Sequence, residues 1–274
     1  MRLNVRHETI YRYAAPATSV IQQLRLTPRG HEGQFVRGWR VEIDADSRLD
    51  RSEDAYGNIM HVFSIDGPVH ELSIMVEGDV ETSDMNGVVS TGVERFPLQF
   101  WLRETPLTRP DPAIVEFARD ISGGEGGETL PALHAINAAL YSGMRFSPGD
   151  THAGTTATQA FKAGSGVCQD FAHVFISAAR ALSIPARYVG GYYLRTDRDE
   201  QDAGHAWAEA HVAGVGWIGF DPAHGVCATD RYVRVTAAPD YLEAAPIRGA
   251  RIGGGQETLA VSVHVSQGPV ILEE

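Results

Sequence analysis

Only two cysteines, Cys168 and Cys227, occur in the 274 residues, too few for a disulfide scaffold. A bridge between them would consume both thiols. The chain has no uninterrupted apolar run of membrane-spanning length. Its opening, MRLNVRHETIYRY, alternates polar and apolar residues where a signal peptide would be apolar. A cytoplasmic location and no membrane partner are therefore expected. Positive charge is scarce, with 23 Lys and Arg against 35 Asp and Glu and a formal net charge of -12. That balance argues against nucleic acid or an anionic membrane as a partner. The 11 histidines include no Cys-x-x-Cys or His-Glu-x-x-His arrangement. No calcium loop of the EF-hand kind is present either. No metal and no cofactor are expected. With 43% hydrophobic and 21% charged residues, the composition is that of an ordinary soluble globular protein of one large or two modest domains.

From residue 1 to 84 the pattern is β. Leu3, Val5, His7, Thr9, Tyr11 and Tyr13 alternate onto one face. Val20, Gln22, Leu24 and Leu26 continue in that style after Pro16, and Leu72, Ile74 and Val76 repeat it. No helix-length amphipathic pattern interrupts, so a small antiparallel sandwich is expected. Its histidines, His7, His31, His61 and His70, read as surface or packing residues. Residues 85–112 are polar and proline-containing, a connecting segment. A helix is expected from Pro112, a favoured first-turn residue, and another over 129–143. The glycine-rich run at 123–127 between them reads as a mobile loop. Residues 113–274 then make a second domain that includes a C-terminal β tail, with strand pattern at 232–235 and 259–265.

Within that second domain, GSGVCQDFAHVFISAARALSIPAR at 164–187 stands out. Cys168, Phe171, Phe175, Ala178 and Leu182 recur at helical spacing, and Ser183 and Pro185 end the helix. A tight glycine turn thus delivers Cys168 to a first helical turn, where unpaired N–H groups and the helix dipole favour an anion. A lone cysteine on an apolar stripe is usually a small buried hydrophobe. Here His205 and Asp221 follow on two short strands, which completes the parts of a thiol-based acyl-transfer site.

With GVCQDFA around Cys168, IPARYVGGYY after the helix, HAWAE from His205, WIGFDP ending on Asp221 and Pro222, and DAYGN at 54–58, the chain resembles the transglutaminase-like branch of the papain-like cysteine enzymes. The match is to the bacterial form with an N-terminal β domain. It covers nearly the whole chain, and the order Cys, His, Asp agrees. The resemblance implies an α+β fold: a papain-like, transglutaminase-like catalytic core with an N-terminal antiparallel β domain. It implies catalysis by Cys168, His205 and Asp221 on a peptide or protein amide. Phe146 stands where relatives often carry tyrosine.

Strand periodicity tests the triad. His205, Trp207, Glu209 and His211 share a face. Asp221 joins that face if His211 pairs with Trp217, which requires a three- or five-residue loop within 212–216. Cys168 would then be the nucleophile, with His205 as base and acid and Asp221 orienting the ring. The Cys168 N–H is an expected oxyanion donor. Asp170 and His173 read as structural, and Trp207 as packing. Glu209, His211 and His224 read as solvated or hydrogen-bonded, and Cys227 as a buried thiol. Hydrolysis is favoured because transamidation needs a site that excludes water while admitting an amine. Transglutaminase-type transfer to an amine is the alternative. A non-catalytic binding module retaining the fold is a third reading.

Overall fold

The computed structural model describes residues 1–91, 94–123, 128–197, 200–201 and 203–268. Four strands open the chain: β1 (Arg2–Thr27), β2 (Gln34–Ile43), β3 (Asp50–Glu53) and β4 (Ile59–Thr82). β1 and β4 pair antiparallel over nearly their whole length. The alternating face of β1 is buried from Leu3 to Tyr13. Register breaks between Arg12 and Ala17, around Pro16, which has no N–H to donate to a ladder. The strand continues past the break, and Val20, Gln22, Leu24 and Leu26 resume the buried face. One apolar cluster joins Tyr11, Leu72 and Ile74 on one side of the break to Val20, Leu24 and Phe63 on the other. The expected sandwich is therefore one sheet packed against itself.

The connecting segment is structured. It holds β5 (Val88–Val89) and a 3-10 helix at Leu98–Leu102. Phe96, Phe100 and Trp101 form an aromatic cluster with Tyr56 of the first domain. Helices α1 (Pro112–Ile121) and α2 (Thr129–Gly143) follow, where the sequence predicts them. Asp111 caps α1 by accepting from the Ile114 N–H. The glycine run lies outside the described residues except for Gly123.

The second domain continues with β6 (Arg145–Phe146), α3 (Ala157–Ala163), β7 (Ser165–Gly166) and α4 (Cys168–Ala181). Next come β8 (Ala186–Tyr193), β9 (Glu200–Gln201), β10 (His205–Val212), β11 (Gly216–Asp221), β12 (Val226–Cys227) and β13 (Tyr232–Ala238). The antiparallel sheet runs β12-β11-β10-β8-β13, with β5 on β11. Helix α4 is buried along every residue from Asp170 to Arg180. It carries more than the apolar stripe read from spacing, because it packs against this sheet and also against α1, α2 and α3. Its buried Arg180 donates to the carbonyls of Trp101, Ala186 and Pro239 and to Thr108 Oγ1, which ties the connecting segment to the core.

The chain ends with α5 (Tyr241–Ala244), β14 (Ile247–Gly253) and β15 (Glu257–Gln267). Both strands pair antiparallel with β1. The tail assigned by sequence to the domain 113–274 thus belongs, from Ile247 on, to the N-terminal sheet. β1 has two hydrogen-bonding edges; β4 takes one, and β14 and β15 take the other. The interface between the sheets is itself an apolar core. Leu3, Val5, Val80 and Val263 pack there on Tyr192 and Val235. Among the described residues, no helix is long and apolar enough to cross a membrane.

Candidate active site

Cys168 is set by a short, heavily bonded turn. Gly164 ends α3 in the left-handed region at φ 62, which glycine adopts without strain. β7 pairs parallel with β6, and Val167 then serves as N-cap of α4. Asp170 reaches back, and its Oδ2 accepts from the Val167 N–H at 2.8 Å and from Thr151 Oγ1 at 2.7 Å. It is a clamp on the turn, as the structural reading expected. Burial pushes its carboxyl up, against those bonds. His173, one turn further, is fully buried and accepts from the Tyr241 N–H at 3.1 Å. Burial lowers its pKa to about 3, so it stays neutral.

His205 and Asp221 come from the hairpin of β10 and β11. His211 pairs with Trp217 and Val212 with Gly216, leaving a three-residue loop at 213–215. That register keeps Asp221 on the face of His205. His205 Nε2–H donates to Asp221 Oδ2 at 2.6 Å. The other ring nitrogen, Nδ1, is left free for the Cys168 sulfur, which lies close enough to act on the charge of the ring. Burial opposes charge on His205, but the Asp221 carboxylate and the Cys168 sulfur outweigh it and push the imidazole up to about 10. Asp221 is fully buried, which by itself disfavours its charge. His205 and His224 nonetheless hold it well below the usual carboxylate range.

Asp221 is held from four directions. Besides His205, its Oδ2 accepts from His224 Nδ1 at 2.7 Å and from the Tyr232 hydroxyl at 2.8 Å. Its Oδ1 accepts from the Ala223 N–H at 3.0 Å. Burial and the Asp221 charge push the Tyr232 phenol far up, so it remains a donor. Tyr193 packs its ring on His205, His224 and Tyr232. Trp207 lies beside His205 with its ring nearly parallel. The role of His224 was legible only as proximity in sequence. The role of Tyr232 left no signal, because it depends on β13 lying beside β8.

Glu209 is hydrogen-bonded but not solvated. Its carboxylate sits between Arg187, at 2.6 Å, and Arg234, at 2.7 Å. Burial opposes its charge, and the two guanidinium groups still hold it down to about 2. Cys227 is a free, half-buried thiol, raised by burial. Phe146 is half exposed on β6. Among the described residues, His205, Asp221 and His224 are the set whose ligand atoms could hold a metal, within 4.8 Å of one another. The imidazoles both bond the same carboxylate oxygen, so a cation there would displace the protons that hold the rings.

A cavity of about 220 Å³ opens beside Cys168 and His205. Its walls come from both sheets: Val167, Tyr188 and Val235 from the core, and His7, Arg25 and Leu26 from β1. His7 bonds Tyr192 and Thr9. Burial lowers its pKa to about 4, so it too is neutral. The DAYGN motif stands behind Arg25. Asp54 Oδ2 accepts from Arg25 Nε at 2.9 Å, and Asp54 Oδ1 accepts from the N–H groups of Tyr56 and Asn58. Asn58 in turn pairs with the backbone of Ala237 in β13, at 2.9 and 2.8 Å. The motif is therefore a buckle between the two sheets.

Two family patterns match the chain: the bacterial transglutaminase-like N-terminal region over residues 3–81, and the transglutaminase-like superfamily over residues 115–222. An uncharacterized protein of Mycobacterium leprae is 31% identical over 97% of this chain and 99% of its own. Another, from Mycobacterium tuberculosis, is 31% identical over 98% of this chain and 93% of its own. The crystal structure of a proposed cysteine protease from Cytophaga hutchinsonii superposes with a TM-score of 0.80 and 19% identity, covering 100% of this chain and 92% of that one. The last likeness is one of fold.

Proposed function

Because the chain belongs to the transglutaminase-like superfamily and has its bacterial N-terminal region, we propose that it is a cysteine-dependent amide hydrolase. One observation carries the reading: His205 stands between the Cys168 sulfur and the buried Asp221 carboxylate, at the wall of a cavity large enough for part of a peptide. In this reaction the Cys168 sulfur attacks the amide carbonyl. His205 holds the proton and delivers it to the leaving amine as the C–N bond breaks. A thioester remains, and water attacks it with His205 as base, releasing the acid and restoring the thiol. Asp221 fixes the ring so that Nδ1 faces the sulfur. The Cys168 N–H, in the first turn of α4, is the proposed oxyanion donor.

The test is incubation with pooled peptides, with and without an added primary amine, read by mass spectrometry. Cleaved or deamidated products that vanish in Cys168→Ala are expected. Amine adducts instead would make the protein an acyltransferase. The proposal fails if no product depends on Cys168 and the thiol resists iodoacetamide until the chain unfolds. The protein would then be a binding module on this fold.

A further inference from the structure

The cavity beside Cys168 is mostly apolar, yet among the described residues one permanently charged side chain lines it, and that side chain comes from the other domain. Arg25 sits in the second half of β1, 8% exposed. Its Nε–H is committed to Asp54 at 2.9 Å, and Nη1 donates to Gln23 Oε1 at 3.3 Å. Nη2 has no hydrogen-bond partner among the described residues, and it is not among the nitrogens sealed from solvent without a partner. It therefore opens on free space. Asp54 balances the charge of Arg25 but has no acceptor to spare for that face. Its two oxygens already accept four bonds, from Arg25 Nε, the N–H groups of Tyr56 and Asn58, and the Asn58 side-chain amide. Asp54 is also not part of the cavity wall, whereas Arg25 is. Of the two partners in the ion pair, the positive one is thus the one at the cavity wall.

The rest of the wall reinforces this polarity. No carboxylate lines the cavity among the described residues, although the chain as a whole is acidic. His7 is neutral and saturated by Tyr192 and Thr9. His205, which also lines the cavity, is engaged with Asp221 at 2.6 Å. Tyr188, Tyr241 and Val235 add apolar surface to the wall. A planar guanidinium with free donors, in a mostly apolar pocket, recognises a carboxylate best.

We propose that Arg25 anchors a carboxylate on the substrate of Cys168, so that the preferred amide carries an anionic group several bonds from its scissile carbonyl. This rests on Cys168 being the reactive thiol of the proposed hydrolase. It gives the N-terminal domain a direct part in substrate choice, through a specificity residue delivered across the interface by the DAYGN buckle.

The test needs no known substrate. In the Cys227→Ala background, Cys168 is alkylated by N-iodoacetyl derivatives of glycine, β-alanine and 4-aminobutyrate, each as the free acid and as the matching carboxamide. Glutathione supplies the intrinsic acid-to-amide rate ratio. For at least one of the longer tethers, the ratio at Cys168 should exceed that of glutathione by about tenfold or more, as a charge-assisted bond would give. Arg25→Gln, which can still donate to Asp54, should bring it back to within about threefold of glutathione. A preference greatest for the shortest probe would come from the imidazolium at His205 and would overturn the proposal. So would equal ratios at every tether length, or a preference that survives Arg25→Gln in a folded variant. If that variant does not fold, the tether dependence of the parent protein decides. If Cys168 resists every probe, including plain iodoacetamide, the hydrolase reading fails and this inference with it.

Discussion

Asp221→Asn tests the link on which the proposed chemistry depends. The imidazole of His205 stands at about 10 against an ordinary 6.5, because a buried carboxylate 2.6 Å away outweighs the cost of burying the charge. That difference corresponds to on the order of 5 kcal/mol in favour of the protonated ring. The stabilisation is complete below the ordinary histidine value and is lost as pH rises through about 10. An Asn at 221 removes the charge and leaves burial, so the His205 titration should fall by several pH units, to the ordinary value or lower. Its amide can also donate to Nε2, which puts the remaining proton on Nδ1, facing the sulfur, the wrong tautomer for a base. Activity near neutral pH should then drop on the order of 10³–10⁴-fold. His224 and Tyr232 lose their shared acceptor as well, at about 1–3 kcal/mol for each group left unsatisfied. Carbon-13 NMR of labelled imidazoles, assigned with His205→Ala, reads the titration directly. A parent His205 that titrates near its ordinary value, or an Asp221→Asn protein in which it still titrates near 10, would refute the reasoning.

Two further outcomes concern stability. Glu209→Gln should cost about 3–5 kcal/mol in urea unfolding, because the buried Arg187 and the half-buried Arg234 lose the carboxylate they share, which leaves Arg187 only Glu94. Since Glu209 is held down to about 2, its contribution is whole above the ordinary carboxylate value and fades as pH falls toward 2, so acid unfolding of the parent should steepen there. Asn58→Ala should cost about 1–3 kcal/mol by removing both bonds to Ala237, and the Ala237 amide should exchange with solvent faster.

Much of this arrangement was legible in residue order, for reasons that can be located. The parity argument on the hairpin worked because side chains alternate strictly, so the pairing of His211 with Trp217 fixed the face of Asp221. The start of α4 was readable from a glycine turn running into helical spacing, and the buried face of β1 from its alternation. What alternation cannot say is which strand lies alongside. Residues 259–265 read as a strand, but nothing local assigns them to β1 rather than to the core sheet. For the same reason Arg25, Tyr232 and the partners of His224 stayed hidden: each acts across a pairing between distant segments. The alternation that resumes after Pro16 belongs to the same strand, which a shift of register carries past the proline. Glycines in mid-strand, such as Gly190 and Gly191, signal a close backbone approach, and a side chain at Gly191 would meet the Val233 carbonyl.

The pairing of β1 with β15, Leu3 opposite Gln267, has a consequence in time. β1 is made early, and half of its hydrogen-bonding edge must wait until nearly the whole chain has been synthesised. During that interval its backbone is an open edge, the kind that recruits foreign strands. The same delay governs the cavity, because Arg25 lies next to the segment of β1 that β14 completes, and Pro246, just before β14, forms part of the wall. A nascent chain can thus hold Cys168, His205 and Asp221 and still lack a finished pocket. Closure of the sheet by the tail is the step that completes the wall beside Cys168.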